Sequence, residues 1–281
     1  MVAAAVGLVK PEMRMKKIAK ALVPAVLRRA WRHRFGWKWF DGDFATWAAA
    51  RAAARGYDDA AVLARAVEAA RAVRDGAAAW ERDGTVFAKP AVHAPLLAVL
   101  RAIGAERGGR LAVVDFGGAM GSTWWQHRAA LGDLAVRWCV VEQPQFVAAG
   151  RVEFAGPELS FEEKLGQACA RTAPAVVLFS SVLQYVERPR EILAEAAASG
   201  VRHLIVDRTP FWDGRRDWLT VQRTPPELGG GGYPAWVFDR TSLTGVLDAD
   251  FKCVQEWPGF DDPDRRMTYR GIHWERKERS K

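Results

Sequence analysis

Val113-Val114-Asp115-Phe116-Gly117-Gly118-Ala119-Met120-Gly121, read as VVDFGGAMG, opens as an apolar run and closes as a glycine-rich loop. The run predicts a strand buried on both faces, because parallel sheets covered by helices carry near-continuous apolar strands. The loop at its carboxyl end sits where open α/β sheets bind ligands, and its glycines let a ligand approach the backbone. A helix opening directly after the loop adds free N–H groups.

Spacing narrows the ligand. A dinucleotide loop needs G-x-G-x-x-G; counted from Gly117, the chain offers Gly117, Ala119 and Ser122, so two of the three glycines fail. Counted from the acid, Asp115-x-Gly117-x-x-x-Gly121 sets a carboxylate before the loop. That charge suits a ligand carrying an ammonium group and repels a pyrophosphate. Glu142 follows Gly121 by 21 positions, at the end of the next expected strand, where an acid accepts hydrogen bonds from a ribose diol.

Outward from the loop, apolar strands alternate with helical patterns, the mark of a doubly wound α/β sheet. Strands are expected at 111–116, 136–142, 158–161, 175–180, 201–207, 251–257 and 267–275, with helices at 122–131, 144–150, 162–171, 189–199 and 239–248. The link GFDDPDRR (259–266) is too short for a parallel crossover, so the last two strands should pair antiparallel. Ahead of the sheet, the alanine-rich residues 43–80 read as a helical pair punctuated by Gly56 and Gly76, with Asp58 or Asp59 as N-cap. A further helix is expected at 91–105. Residues 208–238, rich in Pro, Gly and Trp, read as a lid or substrate-binding insertion, with a hinge in glycines 229–232. The expected organisation is a basic amphipathic segment 1–39, a helical cap 40–107 and the sheet domain 108–281.

Of the 281 residues, 49% are hydrophobic and 26% charged, a globular composition. The net charge of +8 is concentrated at the front, where residues 10–38 hold ten Lys and Arg against Glu12 alone. Ile18, Leu22, Val26 and Leu27 recur there at helical spacing, with Pro24 as a kink. Two readings stay open for this segment: peripheral contact with the inner face of an anionic membrane, or a solvated basic helix or tail. Nucleic acid is not expected as a partner, because the charge is local and no reader motif accompanies it. Cys139, Cys169 and Cys253 lie far apart in apolar segments and read as buried thiols of a cytoplasmic protein without a metal site.

Asp115-x-Gly117-x-x-x-Gly121 resembles motif I of class I methyltransferases, with Ala119 in place of the middle glycine. FSSVLQYV (179–186) resembles the fourth-strand segment of those enzymes. WxWFDGDFATWAAA (37–50), WERDGTVF (80–87), VVEQPQFVAAG (140–150), SSVLQYVERP (180–189), VDRTPFW (206–212) and GGYPAWVF (231–238) extend the likeness over residues 37–276. Together they resemble a family of class I methyltransferases dependent on S-adenosylmethionine and often associated with bacterial surface-polysaccharide genes.

The resemblance implies an α/β, Rossmann-like seven-stranded sheet whose seventh strand is antiparallel, preceded by a helical cap. It implies S-adenosylmethionine as cofactor, at Asp115, Gly117, Gly118, Gly121, Glu142, Gln143, Ser180 and Ser181. Methyl transfer to oxygen of a small molecule or glycan is expected; transfer to nitrogen, or a silent binding module prompted by the extra methyl of Ala119, are the alternatives. Asp207 and Tyr185 are the catalytic candidates, with an Asp207 merely paired to Arg208 as the structural alternative. Gln184, Arg208, Trp212, Tyr233 and Trp236 are the candidates for holding the acceptor. His127 reads as a surface or packing histidine, and His93 as one that could reach over the cleft. The 13 tryptophans permit a sugar acceptor without selecting one, since core burial is their commoner use.

Overall fold

The computed structural model describes residues 39–54, 59–224, 230–259 and 266–278. The basic segment 10–38, Gly56, Asp58 and Gly229 lie outside the described residues. The chain runs through β1 (Phe40–Asp41), α1 (Trp47–Ala53), α2 (Asp59–Arg74), β2 (Trp80–Arg82), β3 (Thr85–Phe87) and α3 (Ala94–Glu106). It continues with β4 (Arg110–Phe116), α4 (Ser122–His127), β5 (Ala135–Val141), α5 (Pro144–Glu153), β6 (Leu159–Glu162), α6 (Leu165–Thr172) and β7 (Val176–Ser180). Then follow α7 (Pro189–Ala198), β8 (His203–Trp212), β9 (Trp218–Arg223), β10 (Gly232–Asp239), α8 (Arg240–Thr244), β11 (Phe251–Pro258) and β12 (Thr268–Arg276).

Seven strands stand side by side in the order β6-β5-β4-β7-β8-β12-β11. Strands β6 to β8 are parallel, and β12 is antiparallel to both its neighbours. This is a Rossmann-like α/β sheet, the fold the sequence resemblance implied, with its antiparallel strand where the short 259–266 link requires one.

Successive strand residues feed opposite faces. Val113, Val176 and Leu178 join Val67, Leu100, Trp124 and Val147 in one core, beneath α2 to α5. Val114, Val177 and Phe179 join Leu165, Leu193 and Leu243 in the other, beneath α6 to α8. Burial on both faces is why these strands carry no polar alternation.

Two segments differ from their sequence reading. Residues 208–238 are mostly strand: β8 runs on to Trp212, and β9 and β10 form an antiparallel hairpin that β1 extends. The Pro and Gly residues suggested a loop, yet Trp218, Leu219, Thr220 and Val221 are all buried, as strand-forming residues packed on two sides. Gly230 and Gly231 take φ of 66° and 85° just before β10, so they shape the hairpin's return. WERDGTVF forms the β2–β3 hairpin, with Asp83 and Gly84 at φ of 51° and 75°, the left-handed pair that a two-residue Asp-Gly turn uses. Cys139 and Cys169 are buried as expected, but Cys253 is exposed on β11.

At the amino end of β8, His203 Nδ1 lies 3.1 Å from His273 Nε2. Both rings are buried, and burial lowers each to about 4 from 6.5. The folded pair stays neutral where the unfolded chain takes up protons, so stability is lost as pH falls from 6.5 towards 4. Urea titrations should show that loss, and His273→Phe should lessen it, leaving the part that the buried His203 carries. No described helix is long and apolar enough to cross a membrane. No group of three or more His, Cys, Asp or Glu poised for a metal occurs among the described residues.

Candidate functional site

The carboxyl edge of β4, β5, β7 and β8 gathers three non-glycine residues with left-handed backbones: Ala119 (φ 51°), Ser181 (φ 58°) and Arg208 (φ 50°). Such conformations are costly for L-residues and cluster at functional sites. The edge was legible in sequence; the strain at Ser181 and Arg208 was not.

The glycine loop is packed to its limit. A Cβ on Gly117 (φ 73°) would meet Val182 Cγ2 at 2.2 Å, and one on Gly118 would meet Asp115 Oδ2 at 2.6 Å. Gly121, at φ 86°, opens α4. Asp115 is buried; its Oδ2 accepts from Trp138 Nε1 at 3.1 Å, and its Oδ1 has no hydrogen-bond partner. Burial pushes this carboxyl up to about 7, against the pull of the Trp138 bond.

Glu142, just past β5, binds the loop itself: Oε1 accepts from the Ala119 N–H at 3.2 Å and Oε2 from the Gln143 N–H at 2.9 Å. Burial pushes Glu142 up, and these two bonds pull it back. Gln143 is exposed and its side chain accepts from Gln145. Ser180 Oγ donates to Asp207 Oδ2 at 3.2 Å, and Ser181 Oγ accepts from Gln184 Nε2 at 3.1 Å.

Asp207 is 1% exposed and fully engaged. Its Oδ1 takes Trp257 Nε1 at 2.8 Å and faces His93 Nε2 at 3.0 Å. Burial pushes its carboxyl up, but the His93 bond and charge, Arg208 and Trp257 together bring it below its ordinary value. His93 is anchored in turn, because its backbone N–H donates to His127 Nε2 at 3.0 Å. That nitrogen must therefore be the acceptor, so His127 Nδ1 donates to the Thr123 carbonyl at 2.8 Å. His127 is thus a packing residue with one tautomer, its charging opposed first by burial.

Tyr185 donates its hydroxyl to Gln222 Oε1 at 2.9 Å and meets Tyr233 edge-on, ring centroids 5.0 Å apart. Burial, then the neighbouring Tyr233, Tyr269 and Asp83, hold the Tyr185 phenol well above its ordinary value, which suits it to orient a group and not to take a proton. The indoles of Trp212 and Trp236 donate internally, to the carbonyls of Arg216 and Val186; Trp212 packs tilted against Trp218, and Trp236 stacks on Trp47. Sequence reasoning missed Glu81, which is buried beside the Gly84 N–H at 3.4 Å and pushed up by burial. The Asp-Gly turn in WERDGTVF was the signal that could have placed it. A recess of about 970 Å³ lies at the opposite edge, by Arg107, Arg110 and Arg137, and none of the expected site residues lines it.

No protein-family model matches this chain. No curated protein matches it either. Among solved structures, it is similar to the N-terminal domain of EvdMO1, crystallised with S-adenosylhomocysteine and D-fucose: 16% identity, 79% of this chain and 98% of that one, TM-score 0.44. It is similar to the 1,6-didemethyltoxoflavin-N1-methyltransferase of Burkholderia thailandensis, with 17% identity, 85% and 93% of the two chains and TM-score 0.43. It is similar also to magnesium protoporphyrin IX methyltransferase of Synechocystis PCC 6803, with 14% identity, 93% and 99% coverage and TM-score 0.44.

Proposed function

We propose that the protein is an S-adenosylmethionine-dependent methyltransferase acting on oxygen of a small molecule or glycan. The observation that carries this reading is Asp115 Oδ1, a buried carboxylate oxygen without a protein donor, under a glycine loop at the ligand edge of the sheet. The ammonium of an amino-acid moiety, directly or through a bridging water, satisfies that oxygen. Glu142 keeps a lone pair on each oxygen after binding Ala119 and Gln143, the acceptors a ribose diol needs. Gly117, Gly118 and Gly121 keep the loop bare, and Gln143, Ser180 and Ser181 border the same edge. S-adenosylmethionine supplies a sulfonium methyl there, and its in-line transfer leaves alignment and exclusion of water to the protein.

Asp207 has both oxygens engaged, so it acts through His93. It accepts Nε2–H and fixes the ring's tautomer, and Nδ1 takes the acceptor's proton. Transfer to nitrogen would use the same pair. The left-handed φ of 51° at Ala119 gives the loop a glycine-like course, which supports catalysis over a silent module. The sequence resemblance supports a glycan among the small-molecule acceptors, and the basic charge of residues 10–38 supports contact with an anionic membrane face as one of the two readings of that segment.

Calorimetric titration should show binding of S-adenosylhomocysteine and none of NAD; the reverse result sinks the reading. Because the ammonium needs ionised Asp115, whose carboxyl sits at about 7, the Kd should rise below pH 7. The expected slope is about tenfold per pH unit. Asp115→Asn should bind more weakly and without that slope.

A further inference from the structure

Strands β8 and β12 lose register at one point: Thr209 faces Arg270 and Val206 faces Ile272, so Asp207 and Arg208 together oppose Gly271. This is a β-bulge, a device that re-aims side chains next to functional sites, and its left-handed position ordinarily takes glycine. Here it holds Arg208, at φ 50°.

The Arg208 side chain is only 16% exposed, and its nearest carboxylate oxygen, Asp207 Oδ2, stands 3.9 Å from Nε, too far for a hydrogen bond. Its guanidinium makes no hydrogen bond to any described residue, while its positive charge acts on Asp115, Glu81 and Asp207. Beside it, Gln184 Nε2 reaches the Arg208 carbonyl at 3.4 Å, and the buried Gln184 Oε1 has no partner. A strained backbone thus presents an unspent five-donor fork, with an unspent acceptor next to its own carbonyl.

We infer that Arg208 receives an anionic group, carboxylate or phosphate, of the methyl acceptor, and that Gln184 Oε1 takes a hydroxyl or amine proton of the same molecule. This rests on the methyltransferase reading above. The planar guanidinium matches either anion with two parallel hydrogen bonds. The carboxylate of the cofactor's own amino-acid end is the other source of such chemistry. Position favours the acceptor: Asp115 and Glu142 serve the β4 and β5 side, and β7 stands between β4 and the Arg208 bulge on β8.

The test titrates pyrophosphate, malonate and uncharged glycerol into protein saturated with S-adenosylhomocysteine, for wild type, Arg208→Gly and Arg208→Lys. At least one anion should bind wild type, more weakly as salt rises, and glycerol should not. Arg208→Gly should lose at least tenfold in anion affinity, hold S-adenosylhomocysteine within twofold of wild type, and melt no lower, since glycine suits the bulge. Arg208→Lys should fall between, keeping charge without the fork. A tenfold loss of S-adenosylhomocysteine affinity in Arg208→Gly assigns the guanidinium to the cofactor and overturns the proposal. So does equal anion binding by wild type and Arg208→Gly, or none by wild type. If wild type binds no S-adenosylhomocysteine, the methyltransferase reading fails, and the same anion titrations on the ligand-free protein still decide the role of Arg208.

Discussion

Gly117→Val should abolish binding of S-adenosylhomocysteine and lower stability by about 3 kcal/mol, combining left-handed backbone strain with overpacking. Gly117 sits at φ 73°, and its missing Cβ would stand 2.2 Å and 2.7 Å from Val182 Cγ2 and Cβ. Val182 follows β7, so relief means parting the loop from that strand's end and moving the backbone under any ligand. Ala119→Gly is the matched control. At φ 51° it removes strain and keeps the N–H that Glu142 accepts, so binding should persist and stability rise. Calorimetry and urea unfolding on both variants check the pair of outcomes.

Asp207→Ala should cost about 3 kcal/mol or more, because removing one partner leaves buried polar groups uncompensated. The groups stranded are His93 Nε2, Trp257 Nε1 and Ser180 Oγ. The acid side carries a second signature. A carboxyl held below its ordinary 3.8 in the folded state contributes stability above that value and loses it as pH falls through the lower one. Unfolding curves of wild type and Asp207→Ala should therefore converge as pH drops below 3.8. His93→Gln should retain more stability than Asp207→Ala but lose about 100-fold or more in kcat.

The central strands were readable because burial on both faces leaves unbroken apolar runs such as AVVLFS, and the short 259–266 link could join only antiparallel neighbours. The glycine loop and Glu142 were readable because their spacing follows from one β-α-β unit. The β9–β10 hairpin was not, since Pro, Gly and Trp dilute its short strands below any periodic signal. His93 and Asp207 lie 114 positions apart, and no local pattern announces a pair made by tertiary packing. The Arg208 bulge was hidden for a similar reason: register belongs to two strands at once, and an arginine gives no hint of a left-handed backbone. The conspicuous tryptophans misled in the other direction, since Trp212 and Trp236 spend their N–H groups on carbonyls within the fold.

The bond from the Ala119 N–H to Glu142 has a kinetic consequence. The protein itself ties the tip of its glycine loop to the end of the neighbouring strand, so the loop's ordering entropy is spent during folding. An arriving ligand meets a rigid cradle and owes little for arranging it. Differences in affinity among ligands of this edge should then lie in how long they stay, with association rates nearly common to all of them.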